Sequence, residues 1–419
     1  MSARAGTSRF ATAACVVGAS LLVAGAARAN PLDTFGFGSR ETAMGSAMVA
    51  ATTGPAAGYY NPASLVRARS LVLEVGYFQA HHALRIDGRD TGVDPVRGVN
   101  VGLDVPGRPF GIPVAFGLAL HVPDDRLSRI RAVPQERPRW ELYDNRNQRL
   151  WFGANLAVQV TPWLAVGGGV SFMSGTRGRI DISGDIDVLD PKSSSLRHEV
   201  DTDLVAVRTP QAGVRIDLPA RLALGATWRG EFSMPLDLRA RVHGDVGTLT
   251  TADYALRTTS TNAFVPQQVA VGASWVPSDD VTLAFDLTWF DWSAYVPPVA
   301  SLTTRVDVPA PVGGWPAGID PPTAPPAVKL VPIAMRDRIV PHVGVEWRAW
   351  KSARVEGFLR AGWQYQESPT APDRHDQLRR QDEHTPSLGS VSDSRRRSRS
   401  SAGRCASIST DSSPSSRRA

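Results

Sequence analysis

Three consecutive glycines at 167–169 are the first pattern in the chain that could do chemistry, because glycine-rich loops cradle phosphate groups. A phosphate loop lies between a strand and a helix. Here a period-two pattern runs through the glycines and no helical pattern follows them. Small residues on a crowded strand explain the triplet better, and the sequence therefore predicts no phosphate site.

The histidines do not have the spacing of a metal site. His81 and His82 are adjacent, and adjacent side chains on a strand point to opposite faces. His121 follows an apolar strand pattern, so we expect it at a strand end near the loops and not in a catalytic site. The acidic and histidine residues at 373–376 lie where the strand pattern stops. No catalytic residue, metal or cofactor is predicted, although a Ser/His/acid site assembled on a sheet would leave no local motif.

The N-terminus reads as an export signal. Two arginines lie within the first nine residues, and residues 11–26 are an unbroken run of apolar and small residues. Ala27 and Ala29 then form an A-x-A cleavage site, which predicts a signal peptide at 1–29 and a mature chain that begins at Asn30. An uncleaved anchor helix is the alternative. Removal of the leader would leave Cys405 alone, which excludes an internal disulfide.

The bulk composition leaves two classes of protein open. The chain has 419 residues, 42% of them apolar, and a mean hydropathy of −0.16, which is too polar for a bundle of membrane helices. After the first thirty residues no apolar stretch is long enough to cross a bilayer as a helix. Closed barrels are the other structure that satisfies the backbone in lipid. The chain is therefore a soluble exported protein or a membrane β-barrel.

A period-two alternation favours the barrel. In residues 71–78, Leu71, Leu73 and Val75 share one face, while Glu74 and Gly76 share the other. Large apolar groups on one face and small or polar groups on the other are typical of strands that face lipid outside and a lumen inside. The same alternation recurs at 114–121, 152–160, 164–172, 210–217, 222–232, 267–276, 280–290, 339–349 and 354–365, with a weaker segment at 236–242. These segments predict about eleven strands.

The connections between these segments also alternate. Short turns such as 161–162, 218–220 and 277–280 join some of them, and long polar stretches at 122–147, 176–202 and 296–335 join others. Short turns on one side and long loops on the other are expected of an outer-membrane barrel, whereas a soluble β-sandwich does not need this asymmetry. Eight tryptophans near strand ends are predicted to lie at the membrane interfaces: Trp163, Trp228, Trp275, Trp289, Trp292, Trp347, Trp350 and Trp363.

Residues 30–69 lack the strand pattern. Glycines punctuate a small-residue segment, and Pro55 and Pro62 prevent any long regular element. The composition predicts a compact plug packed against neighbouring walls. Arg67 and Arg69 close the segment, and we interpret them as a solvated pair at the boundary to the first strand.

Three stretches of the chain resemble the outer-membrane long-chain fatty-acid and aromatic-hydrocarbon transporters, the FadL family. They are residues 36–65, which contain the Asn-Pro-Ala motif at Asn61, Pro62 and Ala63, and residues 265–295 and 343–369. The resemblance implies a 14-stranded all-β transmembrane antiparallel barrel at 70–370, with an N-terminal hatch at 30–69 in its lumen. Asn61 would bond the wall and Pro62 would hold the turn, with Gly45 and Gly58 as backbone-permissive neighbours.

The function that this resemblance implies is passive outer-membrane transport of hydrophobic compounds, fatty acids or arenes, with lateral release into lipid. The implied partners are these small molecules, outer-membrane lipid and the barrel-assembly machinery, and the implied state is a monomer. Ligand-contacting positions vary too much in the family to be placed here. The alternative is a structural or adhesive barrel without transport, or an inactive truncated remnant.

The tail departs from the family. Half of residues 376–419 are Ser or Arg, none is aromatic, and no alternation survives, so we predict a disordered tail at 371–419 in place of the last strands. A reading frame lost near 372–377 would explain the change, and a natural basic tail is the alternative. Nine arginines lie in residues 376–419, and this part of the chain carries most of the net charge of +6. A nucleic-acid partner is not predicted, because an exported chain meets none.

Overall fold

The computed structural model describes residues 31–81, 85–86, 89–90, 94–127, 149–187, 192, 195–246, 250–295, 299–310, 313–314, 328–329, 335–352, 355–369 and 383–394. The predicted leader with Ala27 and Ala29, the pair partner His82, residues 373–376 and Cys405 all lie outside these ranges.

The segment 31–69, called here the N-terminal segment, contains short helices and no strand. Its helices are α1 (Pro31–Phe35), α2 (Ser39–Ala43) and α3 (Ala57–Tyr60), followed by a 3₁₀ helix at Pro62–Arg67. Glycines in the left-handed region separate them, which keeps each helix short. Across the described residues, no helix has both the length and the apolar character needed to cross a membrane.

The rest of the described chain is β-structure. The longer strands are β1 (Val72–Ala80), β4 (Val96–Gly107), β5 (Val114–Pro123), β6 (Trp151–Thr161), β7 (Leu164–Asp187), β8 (Ser195–Leu218), β9 (Leu222–Arg229), β10 (Phe232–Val246), β11 (Thr250–Val265), β12 (Gln268–Ser278), β13 (Val281–Phe290), β14 (Val299–Asp307), β16 (Arg338–Lys351), β17 (Val355–Gln366) and β18 (Glu383–Ser394). The two-residue strands are β2 (Arg85–Ile86), β3 (Arg89–Asp90) and β15 (Val328–Lys329). Three-residue 3₁₀ helices lie at Pro109–Gly111, Pro219–Arg221 and Trp292–Ala294.

One large sheet contains nearly all of these strands. Its main path is antiparallel throughout and runs β1-β4-β5-β6-β7-β8-β9-β12-β13-β16-β17-β18. Strands β10, β11, β14 and β15 extend from it, and β10 pairs with β7 in parallel. Within the described residues, β1 and β18 are the two edges and do not pair with each other, so the sheet is not closed.

The two faces of the sheet differ as the alternation predicts. Large apolar side chains such as Leu73, Leu156 and Val345 are exposed on the outer face. Small or polar side chains of the same strands, such as Ala115 and Asn155, are buried on the inner face. A contiguous row of exposed apolar side chains is unfavourable in water. It is favourable against the hydrocarbon of a bilayer. The all-β prediction and its lipid-out pattern are confirmed.

The strand prediction was incomplete. It missed the two-residue strands β2, β3 and β15 and four of the longer strands, which are β4, β11, β14 and, most clearly, β18. Strand β18 lies at Glu383–Ser394, where the sequence predicted a tail without strands, and all twelve of its residues pair with β17. Strands β7 and β8 also run far into 176–202, which was predicted to be a loop, because their backbones pair continuously from Leu164↔Ile216 to Asp185↔Ser195.

One side-chain prediction also needs correction. Trp292 is not an interfacial residue, because only 1% of it is exposed and it packs among other buried aromatic residues. Arg67 and Arg69 are exposed as predicted, and the guanidinium of Arg67 also lies 3.3 Å from the carboxylate of Asp217 in β8. His121 lies in β5 as expected near the strand end, where it is buried and shares a hydrogen bond of 2.7 Å with Asn100.

Candidate functional site

Asn61 is a fully buried polar residue of the N-terminal segment, at the start of its 3₁₀ helix. Its side-chain oxygen accepts a hydrogen bond from the backbone N–H of Ala63 at 3.1 Å, which caps the helix. Its side-chain nitrogen donates to the backbone oxygens of Val49, at 2.8 Å, and of Val214 in β8, at 3.0 Å. Pro62 follows at the first helical position. One amide therefore joins two parts of the segment to the sheet.

Glycines of the sheet let the segment approach the wall this closely. A Cβ atom on Gly167 of β7 would lie 2.5 Å from the backbone nitrogen of Ala63. A Cβ atom on Gly225 of β9 would lie 2.5 Å from the backbone oxygen of Val49. The glycine triplet therefore serves packing, as the sequence predicted, and Gly167 is the member that faces the segment.

Gly45 of the segment makes a similarly close approach to a different part of the sheet, strands β16 and β17. It has a φ of +62°, and a Cβ atom there would lie 2.6 Å from the backbone nitrogen of Trp363 in β17. Its own carbonyl oxygen lies 2.9 Å from Nδ1 of His342 in β16. Gly362 faces it across the contact, and Gly344 faces the neighbouring Met44. Only glycine fits this position, because the conformation is left-handed and the wall is in direct contact.

Gly58 is held through its carbonyl oxygen. That oxygen accepts hydrogen bonds from Asn155 of β6, at 3.0 Å, and from Gln211 of β8, at 2.8 Å. The amides of Asn155 and Gln211 also bond each other, at 2.5 Å. The five motif residues chosen from the sequence thus lie at three contacts between the segment and the sheet: one at Asn61 to Ala63, one at Gly58 and one at Gly45.

Charged residues that the sequence reading missed make further contacts. Glu346 of β16 lies 2.9 Å from Arg40 of the segment and 2.5 Å from Arg360 of β17. Asp286 of β13 accepts a hydrogen bond from the backbone N–H of Val49 at 2.8 Å. Both acids interrupt the small residues of an inner row, and that interruption was the available signal.

A second ionic contact lies between α1, α3 and β9. Arg229 forms an ion pair of 3.0 Å with Asp33, and its guanidinium stacks 4.1 Å from the ring centroid of Tyr59. The hydroxyl of Tyr59 donates to Asp33 at 2.5 Å. Burial and the neighbouring Asp33 carboxylate raise the pKa of Tyr59 well above its ordinary value. The phenol therefore stays protonated and keeps donating.

Glu41 of α2 is a buried carboxyl group. Burial and the nearby carboxylate of Glu74 raise its pKa from 4.5 to about 8, against the opposing influence of Arg40. One of its oxygens finds no hydrogen-bond partner among the described residues. A cavity of about 40 Å³ lies next to α2, lined by Phe37 and residues of α2, β1 and β4 that include Glu74 and Phe78.

The space inside the sheet next to the segment is filled by aromatic and methionine side chains. Phe37 and Tyr59 stack at 5.8 Å between ring centroids, and Trp151 of β6 packs against them at 5.9 and 5.3 Å. We call this group the inner cluster, and its larger members are Leu32, Phe37, Met44, Met48, Tyr59, Tyr60, Trp151, Met173, Phe232, Met234 and Val265. This part of the interior is therefore apolar, in addition to the polar contacts that hold the segment.

A second apolar group lies towards the long connections. Its members are Phe264, Phe290, Trp292, Tyr295, Met335 and Val340. The guanidinium of Arg338 lies 5.0 Å from the ring centroid of Phe290 and 5.4 Å from that of Trp292. Aromatic rings from β11, β13 and the chain after β13 thus extend the apolar interior beyond the inner cluster.

An antiparallel sheet with an apolar outer face and a buried segment against its inner face defines a membrane protein of the β-barrel class. Neither a protein-family model nor a curated protein sequence matches the chain. Among solved structures it is similar to a Pseudomonas aeruginosa FadL homologue, at 14% identity over 88% of this chain and 87% of that chain with a TM-score of 0.46.

Two further solved structures are similar at the same level. The CymD monoaromatic hydrocarbon channel is 18% identical over 85% of this chain and 88% of that chain, with a TM-score of 0.44. The Pseudomonas putida toluene transporter TodX is 14% identical over 88% and 90%, with a TM-score of 0.42.

Proposed function

We propose that the protein is a passive outer-membrane channel for hydrophobic small molecules, long-chain fatty acids or arenes, in which residues 31–69 act as a hatch. The observation that carries the proposal is the inner cluster. Aromatic and methionine side chains of the sheet such as Trp151 and Met173 line the interior directly against apolar side chains of the N-terminal segment such as Phe37. A channel for polar solutes would instead have a polar, water-filled lumen.

The physical reason is the free energy of transfer. A hydrophobic solute gains about 0.8 kcal/mol for each CH₂ group that leaves water, so a wet pore is a poor path for it. Contact with aromatic and methionine side chains offers a favourable intermediate position between water and lipid. Methionine adapts to solutes of different shape because its side chain is unbranched and flexible.

The hatch part of the proposal is supported by the kind of contact that holds the segment. Beside the apolar packing of the inner cluster, its contacts to the wall are individual hydrogen bonds and ion pairs, through Asn61, Gly58 and Arg40. Such contacts can break one at a time. Lateral release into lipid is part of the same proposal, with the unpaired edges β1 and β18 as a place where the wall could part.

The proposal extends to the route into the membrane. Export would use the leader with cleavage after Ala29, and insertion would use the barrel-assembly machinery to give a monomer. N-terminal sequencing of the protein purified from outer membranes should begin at Asn30. A start at Met1 would contradict the cleaved leader but not the channel.

Uptake measurements test the channel. Cells that express the full chain should take up labelled oleate or toluene faster than cells with empty vector, with no change for a polar solute such as glucose. Met173→Gln places an amide in the inner cluster and should lower the uptake at equal outer-membrane levels, whereas Val160→Ala on the outer face should not. No difference between the full chain and empty vector would contradict the proposal.

The open sheet favours a second candidate, a barrel remnant or structural barrel that does not transport. Its path has twelve strands, and the edges β1 and β18 are unpaired within the described residues. Heat-dependent migration in gels separates closed barrels from open ones. A folded chain in the outer membrane that takes up neither oleate nor toluene would support this second candidate.

A further inference from the structure

One turn on the short-turn side of the sheet has a fully exposed aromatic side chain. Phe110 lies in the 3₁₀ helix between β4 and β5, with no part of its side chain shielded by the rest of the chain. Its φ is +53°, in the left-handed region that a bulky residue rarely adopts. Exposure of the ring to water and the left-handed backbone each cost free energy, and no contact of the ring within the described chain offsets that cost.

The turn between β8 and β9 shows that this backbone does not need an aromatic residue. There Ala220 occupies the same place after a proline, in a three-residue 3₁₀ helix, with φ 56° and ψ 26° against φ 53° and ψ 25° for Phe110. Two turns of the same backbone conformation thus have side chains of very different size at the same position, phenylalanine in one and alanine in the other. The backbone conformation of the turn therefore does not account for the phenyl ring of Phe110.

The surroundings of Phe110 indicate what the ring contacts. Ile112, two residues later, is about half exposed, and it leads into the outer apolar row of β5 at Phe116. The neighbouring strand β6 continues the same surface with Val160, since the backbone of Gln159 donates to the oxygen of Pro113 at 3.0 Å. The exposed ring is thus continuous with the face that meets lipid.

Other turns at the same end of the sheet also have exposed aromatic side chains nearby. Trp163, between β6 and β7, is exposed at the same end of the sheet, as are Trp275 and Trp347 near the turns that follow. The exposed Arg108 directly precedes the proline of the Phe110 turn. Aromatic rings with a nearby cation suit the boundary between phospholipid headgroups and acyl chains, where amphipathic rings and basic residues collect.

We propose that the Pro109–Gly111 turn is a membrane anchor, with Phe110 and Ile112 inserted in the phospholipid leaflet on the short-turn side. The partner is lipid and not a protein, because the apolar surface around the ring continues through Ile112 and Phe116 into the lipid-facing rows. The anchor fixes the depth of β4 to β7 in the bilayer, while the matching turn at Ala220 stays in water. The proposal rests on the membrane location of the sheet and not on transport.

Spin labelling of the full chain tests the anchor. Cys15→Ser and Cys405→Ser remove both native thiols. Nitroxide labels are then placed singly with Phe110→Cys, Ile112→Cys, Ala220→Cys and Leu156→Cys, and the protein is reconstituted in phosphatidylcholine–phosphatidylglycerol vesicles. Collision rates with oxygen, which concentrates in lipid, and with a water-soluble nickel chelate report the depth of each label.

The expected order of the oxygen-to-nickel ratio is Leu156→Cys, then Ile112→Cys, then Phe110→Cys, with Ala220→Cys at least several-fold lower. Equal, water-like ratios at 110, 112 and 220 with a lipid-like ratio at 156 overturn the anchor and leave the membrane location intact. A water-like ratio at 156 overturns both. Protection of the 110 label only after a periplasmic extract is added also overturns the anchor, in favour of a protein partner. If the variant at 110 does not fold, the comparison of 112 with 220 decides in the same way.

Discussion

The carboxylate of Glu346 in β16 accepts two hydrogen bonds from the guanidinium of Arg40 in α2, at 2.9 and 3.0 Å, while Arg360 of β17 binds the same carboxylate from the other side. The paired geometry with Arg40 is the strong form of an arginine–carboxylate contact. It joins residues 306 positions apart in the sequence. One acid of the wall therefore holds α2 in place.

Replacement of Glu346 by glutamine should loosen the N-terminal segment. The change leaves two guanidinium groups beside an uncharged amide in a largely buried place, which should destabilise the segment by about 2–4 kcal/mol. Limited proteolysis in detergent measures the effect as faster cleavage within residues 31–69. The matched control is Arg221→Gln, because its ion pair with Asp279 joins two exposed turns and should not matter. Equal cleavage rates for Glu346→Gln and the original chain would contradict the prediction.

Gly167→Ala should displace the 3₁₀ helix of the segment, whereas the same change at the next residue should not. The new methyl group at 167 would overlap the backbone of Pro62 and Ala63, which cannot move aside as a flexible side chain would. Overpacking of this kind costs about 1–3 kcal/mol. At Gly168 the nearest atom to an added Cβ is 3.3 Å away. Thermal unfolding of both variants checks the difference, and a Gly168→Ala change as harmful as Gly167→Ala would exclude this explanation of the triplet.

Asn61→Asp should open the lumen to polar solutes. Aspartate has the same shape but cannot donate a hydrogen bond, so the backbone oxygens of Val49 and Val214 would both lose their bond to this side chain. The loss should destabilise the attached segment by about 1–3 kcal/mol. Cells that express this variant should become more sensitive to large hydrophilic antibiotics. Ser64→Ala in the same helix is the control, because the Ser64 hydroxyl has no hydrogen-bond partner among the described residues. Unchanged sensitivity at equal protein levels would argue against a hatch held by Asn61.

The alternation predicted most strands correctly because lipid outside the wall imposes large apolar residues on every second position. Strand β18 was missed because its exposed row has only one large apolar residue, Leu388, beside Pro386 and Ser390. Its place depends on pairing with β17, a contact that no local pattern reveals. Strand β4 is different, since Val99, Val101 and Leu103 do alternate and the pattern was overlooked.

The site was predictable only in part, for a similar reason. The glycines and the Asn-Pro-Ala motif can be recognised locally, because they impose backbone conformations. Their partners cannot, because Arg40 and Glu346 meet only through the folding of the whole sheet. The same holds for Val49 and Asp286, where a backbone N–H meets a carboxylate 237 residues away. Long-range pairs of this kind need the register of the strands.

Acidic pH should hold the N-terminal segment more firmly than alkaline pH, through Glu41. Burial and the Glu74 carboxylate raise the pKa of Glu41 from 4.5 to about 8 in the folded protein. The folded state therefore binds a proton more tightly than the unfolded state. This stability is fully present below about pH 4.5 and is lost as the pH rises through about 8.

Thermal unfolding in detergent at pH 5, 6.5 and 8 should show a falling midpoint. Glu41→Gln mimics the protonated form, so its midpoint should vary less with pH and exceed that of the original chain at pH 8. A midpoint that rises with pH across this range, or the same slope in both proteins, would show that Glu41 does not titrate on unfolding.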